Sequence, residues 1–397
     1  MYAISRSRPC SRRSLAVGFR SIASAACQDV TSAVASEPGS SMPPGFTATV
    51  GQFQTFILPH RVSRCQGHIE MGMDMINAWR RDGLIQVAMT ETQQRTYQAA
   101  DIRSREFFAR SPAEKAKCVD KDSYSGYIAS GEEITNGIAD YSEIFTVTKD
   151  LPKDDYRTAS KWPCHGPCPW PDEGMENDIG KFTSVLGEHG DKILQLIELG
   201  LDVPEGSLTK LVEDGWHHMR ILRFPAQNNT NGKGKAGRGI GSHTDYGLLV
   251  IAAQDDVGGL FVRPPHKDED FANWSESTAG LKEEDAGWSY VPPVPGVFTV
   301  FPGDMMQYLT GSFLPSTPHK VGLNTRERFA FAYFHEPNFR SVIRPLASYG
   351  NPDEEGIHYG THFTNMFLRN YPDRITTTTM VAEDRYKLLN TPALRAD

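Results

Sequence analysis

A mainly β protein, with a jelly-roll core preceded by helices, is what this 397-residue sequence predicts. Three observations predict it. Apolar residues recur at helical spacing up to about Ile197. Beyond Trp216 the chain breaks into short β-like runs cut by Gly and Pro. Within that second half, His243-Thr244-Asp245 places two metal donors at positions i and i+2.

In the first half, Ile69, Met71, Met75, Ile76 and Trp79 suit one face of a helix over 68–81, ended by Gly83, ahead of the short run Leu84-Ile85-Gln86-Val87. A second helix is expected between Thr92 and Arg110. A third follows the stripe Ile179, Phe182, Val185, Leu186, Ile193, Leu196 and Ile197. These stripes read as packing faces. In the second half, strands are expected at 217–224, 248–253, 260–263, 297–301, 305–309 and 329–335. Gly258-Gly259 and Pro302-Gly303 supply the turns between short strands that a sandwich or jelly roll needs.

Composition narrows the function. With 39% hydrophobic and 23% charged residues, the chain can bury a substantial core and reads as a globular enzyme. Net charge is −8 and no basic stripe interleaves with aromatics, so nucleic acid is not an expected partner. No apolar run approaches the roughly 20 residues that cross a bilayer, so no membrane helix is expected either. The six cysteines lack paired C-x-x-C spacing and read as reduced, structural thiols in an intracellular protein.

The metal reading starts from alternation. On an extended segment, His243 and Asp245 emerge on one face and Thr244 on the other, so one imidazole and one carboxylate can meet one ion. His319, 76 residues beyond His243, is the candidate third ligand, because the intervening strands can return the chain to the same face. Two histidines and one carboxylate form the facial triad of oxygen-activating Fe(II), which keeps positions free for a cosubstrate and O2. With 12 histidines in the chain, an H-x-D pair alone would be weak; a lone histidine is more often a satisfied core or surface residue. Arg328, nine residues past His319, adds a planar guanidinium able to grip the far carboxylate of a dicarboxylate cosubstrate. Arg326 sits nearer the turn and reads as a surface ion-pair partner.

Two decoys fall away. Gly232-Lys233-Gly234-Lys235-Ala236-Gly237 spells a G-x-G-x-x-G run but follows a polar stretch, not an apolar strand. Ser242 and His243 are neighbours on a strand, so they point to opposite faces and cannot share a proton.

His243-Thr244-Asp245, distal His319 and Arg328 resemble, in order and spacing, the 2-oxoglutarate/Fe(II) dioxygenases of the isopenicillin-N-synthase-like group, whose core is a double-stranded β-helix. Most members carry R-x-S at the clamp; here Arg328-Phe329-Ala330 lacks the serine hydroxyl. That departure, with Tyr124 to Tyr127, Ser130 to Thr135, Asp214 to Arg220, Gly239 to Gly259, Asn324 to Phe339 and His362 to Arg374, resembles the narrower family of 2-oxoglutarate-dependent ethylene- and succinate-forming enzymes of bacteria and fungi. The resemblance runs from about Phe53 to Thr377.

What it implies is a dual chemistry. In one branch 2-oxoglutarate is broken into ethylene and carbon dioxide. In the other it yields succinate while L-arginine is hydroxylated and falls apart to guanidine and pyrroline-5-carboxylate. The implied cofactors are Fe(II), 2-oxoglutarate as cosubstrate and O2, with ascorbate in support. By family position Glu133 and Thr135 hold the arginine guanidinium, Tyr246 and Arg369 complete the substrate site, and Arg220 joins Arg328 at the cosubstrate. A forked carboxylate suits a guanidinium, although an adjacent Glu132-Glu133 pair taken alone reads as a solvated loop. Asn370, and Phe331 within the clamp strand, depart from the bacterial relative and bear on the balance between the two branches. Two rivals share these residues: an oxygenase hydroxylating another small molecule, and a non-catalytic β-helix binding module.

The expected organisation is a targeting or disordered segment over 1–52, a helical region over 53–214, the β-helix core over 215–340 and a C-terminal helical segment over 341–397 completing the site. The first 28 residues hold five arginines and six serines with no acid before Asp29, the composition of a mitochondrial transit peptide or of an arginine-rich tail on a cytoplasmic protein. A monomer is expected.

Overall fold

The computed structural model describes residues 42–264, 266, 277 and 279–395. The transit-peptide reading therefore concerns residues outside the described ones.

The front half forms the three expected helices, α1 (Gln66–Asp82), α2 (Glu91–Phe108) and α5 (Glu173–Gly200), and adds two one-turn helices, α3 (Pro112–Lys115) and α4 (Tyr156–Ala159). Gly83 ends α1 in the left-handed region at φ 79°, which a Cβ would oppose, and its N–H closes on the Trp79 carbonyl at 2.8 Å. Thr90 and Gln93 cap α2 reciprocally. The α5 stripe is buried at Ile179, Phe182, Leu186, Ile193, Leu196 and Ile197.

Strands complete the architecture. They are β1 (Thr49–Val50), β2 (Thr55–Phe56), β3 (Ile85–Ala88), β4 (Gly126–Ile128), β5 (Ile134–Thr135), β6 (Ile138–Ala139), β7 (Glu143–Val147), β8 (His218–Phe224), β9 (Arg238–His243), β10 (Leu249–Gln254), β11 (Leu260–Val262), β12 (Ser289–Tyr290), β13 (Val297–Pro302), β14 (His319–Gly322) and β15 (Arg328–His335). Eight pair in the order β2-β3-β13-β10-β15-β8-β7-β4, and five in the order β1-β12-β11-β14-β9. The β5–β6 hairpin stands apart. One buried cluster runs from Phe56 to Leu394, so the front helices and the β-core share an interior.

Alternation on β15 sorts the layers. Phe331 meets Tyr97 of α2 and Phe182 of α5, with ring centroids 5.9 and 5.2 Å away, and belongs to the helical side. Arg328, Ala330 and Ala332 sit at the alternate positions, the set that faces the interior between the sheets.

Three expectations change. The run Met305–Leu309 is helical, in α6 (Asp304–Leu309), and not a strand. A short apolar run is ambiguous in period, and here the opening turn is held by its surroundings: the amides of Asp304 and Met305 donate to the carbonyls of Asp245 and Gly247 at 2.8 and 2.9 Å. The 53–214 region, expected to be helical, also supplies six strands, β2 to β7; such short pieces carry little period of their own and form by pairing, β3 beside β13, β7 beside β8 and β5 beside β6. Ordered structure also begins before Phe53: β1 pairs in parallel with β12, and Phe46 stacks on Phe261 at 4.8 Å. Phe46→Ala is accordingly expected to cost about 1–2 kcal/mol, read as a fall in melting temperature; an unchanged melt would mean that residues 42–50 are no part of the cooperative unit.

Candidate active site

The metal ligands come together through strand register. His243 ends β9 and His319 begins β14, and the two are directly opposed in this antiparallel pair. Directly opposed residues share a sheet face, so both imidazoles project to one side, with ring centroids 4.2 Å apart. Asp245 lies just past the end of β9. Its loop is fixed by the α6 amides and by Glu336, whose carboxylate accepts the Leu248 N–H at 3.0 Å and the Tyr359 hydroxyl at 2.9 Å. Gly247 must be glycine here, because a Cβ would fall 1.7 Å from the Glu336 carboxylate.

The donor geometry fits one ion. Asp245 Oδ1 is 3.8 Å from His243 Nε2, Asp245 Oδ2 is 3.4 Å from His319 Nε2, and one ligand atom from each residue lies within 4.8 Å of the others. The Nδ1 atoms are turned away: that of His243 contacts the Gly241 carbonyl at 2.8 Å and that of His319 the Thr317 carbonyl at 3.0 Å. A carbonyl partner demands the proton on Nδ1, which leaves both Nε2 lone pairs for a metal. Burial and the neighbouring His319 hold His243 well below the usual imidazole range, so it stays neutral. Burial pushes the Asp245 carboxyl upward, and the positive field of a bound cation would reverse that shift.

Two cavities meet at the triad. The narrower, about 70 Å³, is lined by all three ligands, Arg328, Gln254 and Ala330. Arg328 is buried there; its Nη2 donates to Gln254 Oε1 at 3.0 Å, while its Nε has no hydrogen-bond partner among the described residues. Burial pulls its pKa down, opposed chiefly by Asp255. A buried cation with a donor left free can receive a carboxylate. Gln254 is the cross-strand partner of Ala330, so its amide stands beside the position that lacks the serine hydroxyl. Arg326 is exposed and pairs with Asp256 at 3.2 Å, the surface role read from the sequence.

The wider cavity, about 260 Å³, is lined by His243, Asp245, Glu133, Thr135, Arg220, Tyr246 and Arg369, among others. Glu133 is almost fully enclosed: Arg220 Nη2 donates to Oε2 at 2.6 Å, Ser142 Oγ to the same oxygen at 3.2 Å, and Tyr371 OH to Oε1 at 2.5 Å. Arg220 borders both cavities, but in this state its charge is committed to Glu133. Arg369 and Asn370 close α7 (Tyr359–Asn370), which brings the C-terminal segment to this wall. Asn370 donates to the Tyr246 hydroxyl, and both side chains line the wider cavity. Tyr371, Ser142 and Gln254 are functional candidates that the sequence reading missed; each is a polar residue in a stretch where spacing alone marks nothing.

Comparison with known proteins places this geometry. Residues 215–337 match the 2OG-Fe(II) oxygenase superfamily, and residues 63–173 match the family described as non-haem dioxygenase in morphine synthesis N-terminal. The chain is 53% identical over 327 residues to the 2-oxoglutarate-dependent ethylene/succinate-forming enzyme of Ralstonia nicotianae, covering 81% of this chain and 93% of that one. A homoarginine-6-hydroxylase of Glycine max is 31% identical over 284 residues, covering 68% of this chain and 80% of that one. The crystal structure of a 2OG-Fe(II) oxygenase family protein from Caulobacter crescentus superposes with a TM-score of 0.62 at 21% identity, over 80% of this chain and 98% of that one; it supports the fold alone.

Proposed function

The chain belongs to the 2OG-Fe(II) oxygenase superfamily, and from that premise we propose that it is a 2-oxoglutarate-dependent ethylene/succinate-forming enzyme with L-arginine as its second substrate. The observation that carries the arginine reading is Glu133, a buried carboxylate on the wall of the wider cavity whose present partner is itself a guanidinium, that of Arg220. A site shaped to hold one guanidinium suits another. The homoarginine-6-hydroxylase likeness supports the same chemistry, since homoarginine carries the same head group.

In this reading His243, Asp245 and His319 hold Fe(II), and Arg328, oriented by Gln254, grips the distal carboxylate of 2-oxoglutarate in the narrower cavity. The bound iron supplies the activation of O2 against the keto acid. Glu133 and Thr135 hold the substrate guanidinium, and Tyr246 and Arg369 line the remainder of its path. The apolar lining at Phe334 and Ile240, shared by both cavities, limits water at their junction. We also propose that the arginine-rich, acid-free first 28 residues direct the chain to mitochondria, tested by fusing residues 1–52 to a fluorescent protein; a diffuse cytosolic signal rejects this.

The direct test incubates the purified protein with Fe(II), 2-oxoglutarate, O2 and ascorbate, with and without L-arginine, and measures ethylene, succinate and guanidine together. Ethylene and guanidine are expected to appear only with arginine present. Succinate without either product would transfer the protein to the hydroxylases of another small molecule. Glu133→Gln sharpens the assignment: it keeps the shape and removes the charge, so arginine affinity should fall about tenfold or more. The charge-transfer absorption of 2-oxoglutarate on the Fe(II) protein should persist in that variant, because its ligands lie on other segments. Unchanged arginine dependence would remove Glu133 from the site.

A further inference from the structure

Asp140 is completely buried, yet nothing so far gives it a task. Its Oδ1 receives Arg238 Nε at 3.3 Å, Arg238 Nη2 at 3.2 Å and the Gly241 N–H at 3.1 Å. Its Oδ2 receives the Thr135 hydroxyl at 2.5 Å. The main chain closes the same unit: Asp140 N–H donates to the Glu133 carbonyl at 3.0 Å, and Arg238 Nη2 donates to the Thr135 carbonyl at 2.8 Å. Asp140 thus ties the β5 segment, with Glu133 and Thr135, to β9. Burial and the charge of Glu133 push its carboxyl up to about 7, while Thr135, Arg238 and the Gly241 amide favour the ionised form.

The direction of one hydrogen bond matters. At pH 8, above that value, Asp140 is a carboxylate and only accepts, so the Thr135 hydroxyl must spend its single proton on Asp140, and only oxygen lone pairs remain for the cavity. A guanidinium presents only donors, and an acceptor-only wall of Glu133 and Thr135 matches it. A neutral urea of the same shape presents a carbonyl oxygen, which would meet lone pairs. We infer that Asp140 is a positioning residue that fixes Thr135 as an acceptor and thereby makes the cavity select a guanidinium over an isosteric urea. This rests on the reading of Glu133 and Thr135 as the guanidinium site.

Asp140→Asn tests it with little disturbance, because one amide oxygen can keep the Arg238 and Gly241 contacts while the amide nitrogen replaces Oδ2. That nitrogen donates to Thr135, and the threonine proton is released toward the cavity. Affinities for L-arginine and for L-citrulline, its urea counterpart, are measured anaerobically at pH 8 on the Fe(II) protein with 2-oxoglutarate, arginine through the charge-transfer band and citrulline by competition. The wild type is expected to prefer arginine, and Asp140→Asn to reduce the arginine-to-citrulline preference by about tenfold, the scale of one misdirected hydrogen bond. In a Thr135→Val background the same substitution should change the preference no further, which a general structural defect would not reproduce.

Should Asp140→Asn fail to fold for want of a counter-charge, the paired variant Asp140→Asn with Arg238→Gln removes the stranded cation and carries the same measurement. An unchanged preference in a variant that folds overturns the role of Asp140 while leaving the arginine site intact. A wild type that binds neither ligand overturns the arginine reading itself, and this inference with it.

Discussion

Iron-dependent turnover is expected to vanish when any one of His243, Asp245 or His319 is replaced by alanine. Each contributes one of three donors that converge within 4.8 Å, and no other described group of three metal-binding side chains converges in this way. Loss of a partner behind a ligand typically costs 10–100-fold in metal affinity or activity; loss of a ligand itself should therefore exceed about 100-fold. The fold should survive, because the β9–β14 pairing is made by backbone groups and the Asp245 loop by the α6 amides, none of which the substitutions remove. Bound iron per chain, succinate formation and far-ultraviolet circular dichroism are measured together. A variant with native iron content and near-normal succinate would strip that residue of its assignment.

The second large effect concerns Arg328→Lys, expected to raise the 2-oxoglutarate requirement about 10- to 100-fold. An ammonium keeps the charge but loses the planar pair of donors, and a charge-assisted hydrogen bond is worth about 1.5–3 kcal/mol. The structure strengthens the case, since Arg328 is buried with donors to spare while Gln254 steadies one end of its guanidinium. Arg326→Lys is the internal control: exposed and paired with Asp256, it should change the requirement little. Titrating 2-oxoglutarate into each anaerobic Fe(II) variant gives the answer, and a larger effect at Arg326 would mean that the clamp was assigned to the wrong arginine.

Apolar period locates α1 and α5, because a helix that buries one face must repeat its apolar residues near every 3.6 positions. Period misleads at Met305–Leu309, where a short run fits either state and the contacts with the Asp245 loop decide. The same holds for β1, whose two residues carry no pattern and acquire one only beside β12.

The sequence by itself determined the metal and cosubstrate chemistry of this protein: the donor types at 243, 245 and 319, the guanidinium at 328 and the missing hydroxyl at 330 are matters of residue identity and order. Only the tertiary structure decided how those groups are tuned. The Nδ1 contacts that free each Nε2, the amide of Gln254 beside Ala330, the enclosure of Glu133 by Arg220, Ser142 and Tyr371, and the grip of Asp140 on Thr135 all join residues distant in the chain or of no distinctive spacing. Hydrogen-bond direction and burial are properties of the packed interior, where a donor or acceptor left unpaired is costly, and no local pattern encodes them.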